Sequence, residues 1–274
     1  MQPIFALNNV VYAYSNTQAN PALNGVSLTI QAGQRVAIMG ANGSGKSTLL
    51  RILDGLYFPQ AGQVEAFGHV LDEHHLLDEE FAHAFRKRVA FVFQNPDVQL
   101  FNPTVFDEVA FGPLQLRWEP ARIKQAVADT LDLLEISHLR DRAPHRLSGG
   151  EKKRVAIASV LVLDPEVILL DEPTAALDPK SQSRVVDFLV EWGNSNKTVV
   201  VATHDLDTVP DIADDAYIFK QGVIVAHDAP RQLLRNHDLL FDANLVHAHH
   251  HFHDDVVHSH AHTHVGHGHD HTSG

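Results

Sequence analysis

The spacing of apolar and polar residues divides the chain into short segments of changing period. Residues 4–14 (IFALNNVVYAY) and 25–30 (GVSLTI) are rich in β-branched and aromatic residues and flank a loop holding Asn20 and Pro21, which predicts two strands. RVAIMG (35–40) is a short apolar strand that enters a glycine-rich turn. KSTLLRILDGL follows as a helix, with Leu49, Leu50 and Leu53 on one apolar face. Further apolar runs predict strands at 88–93 (RVAFVF), 166–171 (EVILLD), 197–203 (KTVVVAT) and 215–220 (DAYIFK). Helical stretches at 121–135, 149–163 and 180–192 separate them. Strands alternating with helices predict an α/β domain built on a largely parallel sheet. The long, mainly helical stretch between strands 88–93 and 166–171 predicts a helical subdomain at about residues 95–163. No internal repeat is present.

The pattern breaks near the C-terminus. From His247 onward, 12 of 28 residues are histidine. Too few large apolar groups remain there to build a core, so the folded domain is expected to span 1–240. The tail, 241–274, is expected to be disordered without metal.

Composition narrows the classes open to the chain. Cysteine is absent, which excludes disulfides and thiolate metal sites and fits a cytosolic location. The formal charge of -13, with histidine neutral, argues against nucleic acid as the main partner. No stretch approaches the ~18 apolar residues of a spanning helix. The N-terminal MQPIFALNNV has no basic segment leading into an apolar one, so it is not expected to be a signal peptide.

Two segments carry chemistry. GANGSGKST (40–48) fits G-x-x-x-x-G-K-[ST] through Gly40, Gly45, Lys46 and Ser47, and lies between an apolar strand and a helix as a phosphate-binding loop must. Its glycines let the backbone of Asn42, Gly43, Ser44 and Gly45 turn successive N–H groups toward phosphates. The helix starting near Lys46 adds its positive end. Lys46 is placed for the β- and γ-phosphates, and Ser47 for Mg²⁺, with Thr48 beside it. The second segment is the acidic pair Asp171 and Glu172, after four consecutive apolar residues of a strand buried on both faces. Ligands of open α/β sheets bind at that edge. Asp171 is a candidate for Mg²⁺ through water, and Glu172 for taking a proton from an attacking water. An acidic pair after a strand is usually a solvated turn, and only the neighbouring phosphate loop changes that reading.

LSGGE (147–151) joins these two. Ser148 followed by Glu151 forms a capping box, and Gly149 and Gly150 leave the following helix N-terminus bare, ready to face a phosphate. With GANGSGKST, ILLDEP (168–173), Gln94 and His204, the segment resembles the ATP-binding-cassette family in order and spacing over residues 4–240. The resemblance implies a P-loop NTPase with a RecA-like core, an N-terminal antiparallel β subdomain and a helical subdomain. It implies ATP hydrolysis with Mg²⁺, at a site shared by two head-to-tail subunits. Each ATP would lie between one subunit's phosphate loop and the other's LSGGE. By the same resemblance Tyr14, rather than Tyr12, stacks on adenine. Gln94 contacts Mg²⁺ and the attacking water, Asp178 links the two sites across the dimer, and His204 bonds the γ-phosphate. Lys152 departs mildly from the glutamine found in many members and is not expected to abolish activity.

FQNPDVQLFNPTVFDEVAFGP (93–113) resembles the ATPases of energy-coupling-factor importers. That resemblance implies a transmembrane coupling protein and a small substrate-binding membrane protein as partners, a second ATPase subunit, and a peripheral place on the cytoplasmic face of the membrane. Asn95 to Phe101 would meet the coupling helices. In the tail, His258, His260, His262 and His264, then His267, His269 and His271, alternate with small or polar residues. Imidazole suits Ni²⁺, Co²⁺, Zn²⁺ and Cu²⁺, with Asp254, Asp255 and Asp270 as further ligands. Resemblance to cobalt/nickel importers makes Ni²⁺ or Co²⁺ the leading cargo. Another cargo such as zinc or a vitamin, or a metal-buffering protein with a regulatory nucleotide domain, stands beside it. His69, His74, His75 and His83, interspersed with acids, read as a solvated loop and helix start.

Overall fold

The computed structural model describes residues 3–14, 20–253 and 256–262. The chain opens with β1 (Phe5–Tyr12) and β2 (Leu23–Ile30), passes through β3 (Arg35–Gly40) into α1 (Lys46–Leu53), and returns as β4 (Ala61–Ala66) and β5 (His69–Val70). Helices α2 (Glu73–Leu76) and α3 (Glu79–Arg88) lead into β6 (Val89–Val92). The helical subdomain follows as α4 (Val105–Gln115), α5 (Pro120–Leu133) and α6 (Gly149–Leu161). The chain then alternates through β7 (Val167–Asp171), α7 (Pro179–Gly193), β8 (Thr198–Thr203) and α8 (Val209–Ile212). It continues with β9 (Asp215–Lys220), β10 (Val223–Asp228), α9 (Pro230–Leu233) and α10 (His237–Asp242).

Two sheets carry the domain. β2, β1, β4 and β5 form an antiparallel sheet in that order. The second runs β10-β9-β3-β8-β7-β6 and is parallel except for β10 at its edge. The α/β expectation, the antiparallel N-terminal sheet and the helical subdomain all hold. β4, β5, α3, α4 and β10 are additions to the elements expected from sequence.

The central strands separate two cores. Val167 and Leu169 of β7 face a cluster with Leu49, Leu50 and Leu53 of α1 and the N-terminal sheet. Ile168 and Leu170 face a cluster formed by α4 to α7. All four are fully buried. Residues on successive sides of the pleat therefore each find an apolar partner, which is why this strand reads as a continuous apolar run rather than an alternating one. Each such side chain contributes about 1.5–3 kcal/mol.

The C-terminal boundary moves from the expected residue 240 to Val246. Leu240, Ala243, Leu245 and Val246 are buried in the same core as α6 and α7. Beyond them the expected structureless tail begins instead with an antiparallel hairpin, β11 (His247–His253) and β12 (Val256–His262). His264, His267, His269 and His271, with Asp254, Asp255 and Asp270, lie outside the described residues.

A chain ending at Val246 is therefore expected to melt within a degree or two of the full chain. A chain ending at Leu240 should lose about 2–5 kcal/mol, the range for emptying buried aliphatic positions. Chemical denaturation of the three lengths checks this.

Candidate active site

The parallel sheet brings three loops to one edge. β8 lies between β3 and β7, with Ile38 opposite Ala202 and Ala202 opposite Asp171. The residues that follow these strands therefore emerge side by side: the phosphate loop after β3, the acidic pair at the end of β7, and His204 after β8.

The phosphate loop is a glycine structure out of necessity. Gly45 has φ 111°, and a Cβ there would stand 2.5 Å from the Ala22 carbonyl oxygen. At Gly40 a Cβ would stand 2.6 Å from the Phe219 carbonyl oxygen. α1 starts without a side-chain cap, so its first N–H groups have no intrinsic partner. Ser44 is buried, and its hydroxyl has no hydrogen-bond partner among the described residues. A bare helix start and an orphaned buried hydroxyl in one loop fit an anion. Lys46 is 5% exposed, and its Nζ donates to the Gly40 and Ala41 carbonyls at 2.7 and 3.2 Å.

The acidic pair is buried beside that lysine. Ser47 Oγ donates to Asp171 Oδ1 at 2.9 Å. A hydroxyl and a carboxylate together suit a hard divalent cation such as Mg²⁺. Burial pushes the Asp171 carboxyl up, and the Glu172 charge adds to the rise; the Ser47 hydroxyl, Arg51 and Lys46 oppose it. Glu172 is equally buried and has φ 47°, a left-handed backbone rarely taken by a residue with a Cβ. Strain of this kind persists where the surroundings over-determine it. Here they do: the Glu172 amide bonds the Ala202 carbonyl at 2.8 Å. Its carboxylate lies 2.9 Å from His204 Nδ1, 3.3 Å from Thr203 Oγ1 and 3.4 Å from Lys46 Nζ. A carboxylate held there can accept a proton from a water at the sheet edge.

The aromatic prediction separates its two candidates. Tyr12 stacks on Tyr57 at 5.1 Å, inside the domain surface. Tyr14 is 60% exposed, its hydroxyl 2.8 Å from Thr48 Oγ1 at the start of α1. Its ring packs edge-on against Tyr12 and Tyr57 at 5.3 and 5.8 Å. Arg51, whose guanidinium donates to the Tyr14 hydroxyl at 3.4 Å, was not singled out from sequence.

The remaining predicted residues lie on other elements. Ser148 caps α6 in the expected capping box: its amide donates to Glu151 Oε2 at 2.8 Å, and Glu151 N donates to its hydroxyl at 3.3 Å. Ser148 and Gly149 are exposed, and a Cβ on Gly149 would meet nothing within 4 Å. Among the described residues no hydrogen bond joins LSGGE to Lys46, Ser47, Asp171, Glu172 or His204. Gly150 is buried because Ser181 Oγ occupies the place of its Cβ. Asp178 caps α7 through Ser181, whose hydroxyl donates to it at 2.6 Å and holds its carboxyl below the usual range. Gln94 is exposed beyond the end of β6, and its carbonyl accepts from Lys153 Nζ at 2.7 Å.

Known proteins place this geometry. A family model described as ABC transporter matches residues 23–175, more than half of the chain. The chain belongs to the ABC transporter ATP-binding family. Like other members it is an ATPase. It is 53% identical to a nickel import ATP-binding protein, NikO, of Rhodobacter capsulatus over 249 residues, covering 90% of this chain and 97% of that one. It is 42% identical to an energy-coupling factor transporter ATP-binding protein, EcfA, of Carboxydothermus hydrogenoformans, over 85% of this chain and 83% of that one. Among solved structures it resembles cbiO1 of Clostridium perfringens, described as part of the ABC transporter complex cbiONQ. That likeness has a TM-score of 0.76 and 35% identity, covering 89% of this chain and 96% of that one. No helix among the described residues of this ABC ATPase is long and apolar enough to cross a membrane.

Glu172→Gln is expected to keep ATP binding while turnover falls about 10²-fold or more, because the amide no longer accepts a proton. Nucleotide binding and phosphate release measured on the same preparation check both halves.

Proposed function

We propose that this ATPase energises a membrane importer of transition-metal ions, with Ni²⁺ or Co²⁺ as cargo. The observation that carries the reading is the joining, in one chain, of a complete cassette to a tail in which 12 of 28 residues are histidine. The 53% identity to a nickel import ATP-binding protein supports it. In this reading Glu172 is the general base, and Lys46, Gln94 and His204 bind the phosphates and the attacking water. Ser47, Asp171 and Gln94 hold Mg²⁺, which when bound neutralises phosphate charge. Ser148, Gly149, Gly150 and Asp178 act on the ATP of a second subunit, a further copy of this chain. The exposure of Ser148, Gly149 and Asp178 at the starts of α6 and α7, away from the phosphate loop's hydrogen bonds, supports an action in trans.

The membrane partners of the proposal are a transmembrane coupling protein and a substrate-binding membrane protein. Beside the glutamine loop, Val98 and Phe101 are each 67% exposed, and the Phe101 ring packs edge-on against Phe111 at 5.0 Å. With exposed Leu114 they make an apolar patch of the kind that marks a protein contact. For the tail, the hairpin register sets His247, His249 and His251 opposite His262, His260 and His258.

Uptake of radioactive Ni²⁺ and Co²⁺ by cells lacking this subunit tests the reading. Resupply with the natural chain should restore uptake, and resupply with Glu172→Gln should not; uptake of neither ion after resupply would contradict the cargo. The chain ending at Val246 should lose most metal binding by calorimetry and keep ATP hydrolysis within about twofold, since tails usually tolerate removal. Metal binding by the full chain should fade as pH falls through about 6, because coordination needs neutral imidazole of ordinary pKa about 6.5.

A further inference from the structure

Three contacts tie the loop that carries Gln94 to α6, the helix that begins within LSGGE. Lys152 Nζ pairs with Asp97 Oδ1 at 2.7 Å. Gln99 accepts from the Phe93 amide at 3.2 Å and donates to the Ala156 carbonyl at 2.8 Å. The third contact is chemically unlike the others. Lys153, on α6, is 2% exposed, and its ammonium donates to the carbonyls of Phe93 and Gln94 at 3.1 and 2.7 Å.

A buried ammonium is costly, and its retention needs compensation from its neighbours. The two carbonyls supply part of it. Burial pulls the Lys153 ammonium down to about 8, and the charges of Asp171 and Glu172 oppose that effect without cancelling it. The sheet explains why these groups meet. β6 pairs with β7 so that Val92 stands opposite Leu170, and two residues further along the chain, past the ends of these strands, lie Gln94 and Glu172. The helix therefore reaches across the carboxyl edge of the sheet and grips the backbone from which the Gln94 side chain leaves.

We propose that Lys153 is the positioning residue for Gln94: by holding the Phe93 and Gln94 carbonyls it fixes where the glutamine side chain meets the nucleotide site. This rests on the reading of Gln94 as a contact of the attacking water and Mg²⁺. Lys153 itself touches neither.

The test is a double-mutant cycle on the full-length subunit. Lys153→Met should lower kcat by about 10- to 100-fold, as expected for a misplaced contact, with KM for ATP within about twofold. It should raise the Mg²⁺ concentration needed for half-maximal rate. In a Gln94→Ala background the same change should cost no more than about twofold, because the residue through which it acts is gone. Equal losses in both backgrounds would overturn the proposal, as would a normal kcat for Lys153→Met beside an impaired Gln94→Ala. A normal rate for Gln94→Ala itself would overturn the reading of the glutamine, and the positioning with it. Circular dichroism melting reports whether each variant folds. Should Lys153→Met fail to fold, Lys153→Gln serves in its place, with hydrogen exchange of the 93–99 backbone as a second readout. Faster exchange there, with α1 unchanged, supports the proposal, and unchanged exchange at 93–99 overturns it.

Discussion

Two carboxylates held out of water at the end of one strand impose the arrangement of everything around them. Asp171 and Glu172 are 2% and 3% exposed and adjacent in the chain, and burial together with the Glu172 charge pushes the Asp171 carboxyl up. An isolated buried charge costs several kcal/mol. The structure answers with Ser47 and Lys46 from the phosphate loop, Thr203 of β8 and His204 just after it, and Lys153 from α6. These come from three parts of the chain that the parallel order β3-β8-β7 and the packing of α6 bring to one edge. The same charges are what a nucleotide site needs: acids for a cation and a water, a lysine for phosphate. The electrostatic problem of the fold and the chemistry of the site have one solution.

That pair also links distant parts of the molecule. α6 begins within LSGGE, grips the loop carrying Gln94 through Lys152, Lys153 and Gln99, and lays Gly150 against Ser181 of the Asp178 cap. The apolar patch at Val98 and Phe101 sits on the same loop.

What could be read from the chain follows the range of the interactions involved. The phosphate loop, the capping box at Ser148 and Glu151, and the buried run Val167 to Leu170 are local, and each appears where the spacing put it. β4 was not legible because most of AGQVEA is exposed, leaving Val64 and Ala66 as its buried positions. α3 buries Phe85 alone, and its EEFAHAFRKR carries little apolar pattern. α4 holds Gly112 and Pro113, both of which argue against a helix. The domain end at Val246 depends on Leu245 and Val246 reaching a core assembled from α6 and α7. Lys153 is the sharpest case. In EKKR it reads as one of several solvated cations, and its burial comes from partners about sixty positions earlier in the chain. The left-handed backbone of Glu172 is likewise set by the neighbouring strand and leaves no mark in the sequence.

The central claim is that each ATP is served by Lys46 of one subunit and Ser148 of another. Mixing two inactive variants, Lys46→Ala and Ser148→Arg, measures it most directly. In a head-to-tail pair the mixed dimer concentrates both defects in one site and leaves the other intact. Phosphate release by the mixture should therefore rise well above that of either variant alone, toward about a quarter of the natural rate, when half of the dimers are mixed and one of their two sites works. A mixture no more active than its components, with mixed dimers shown to form, would contradict a shared site.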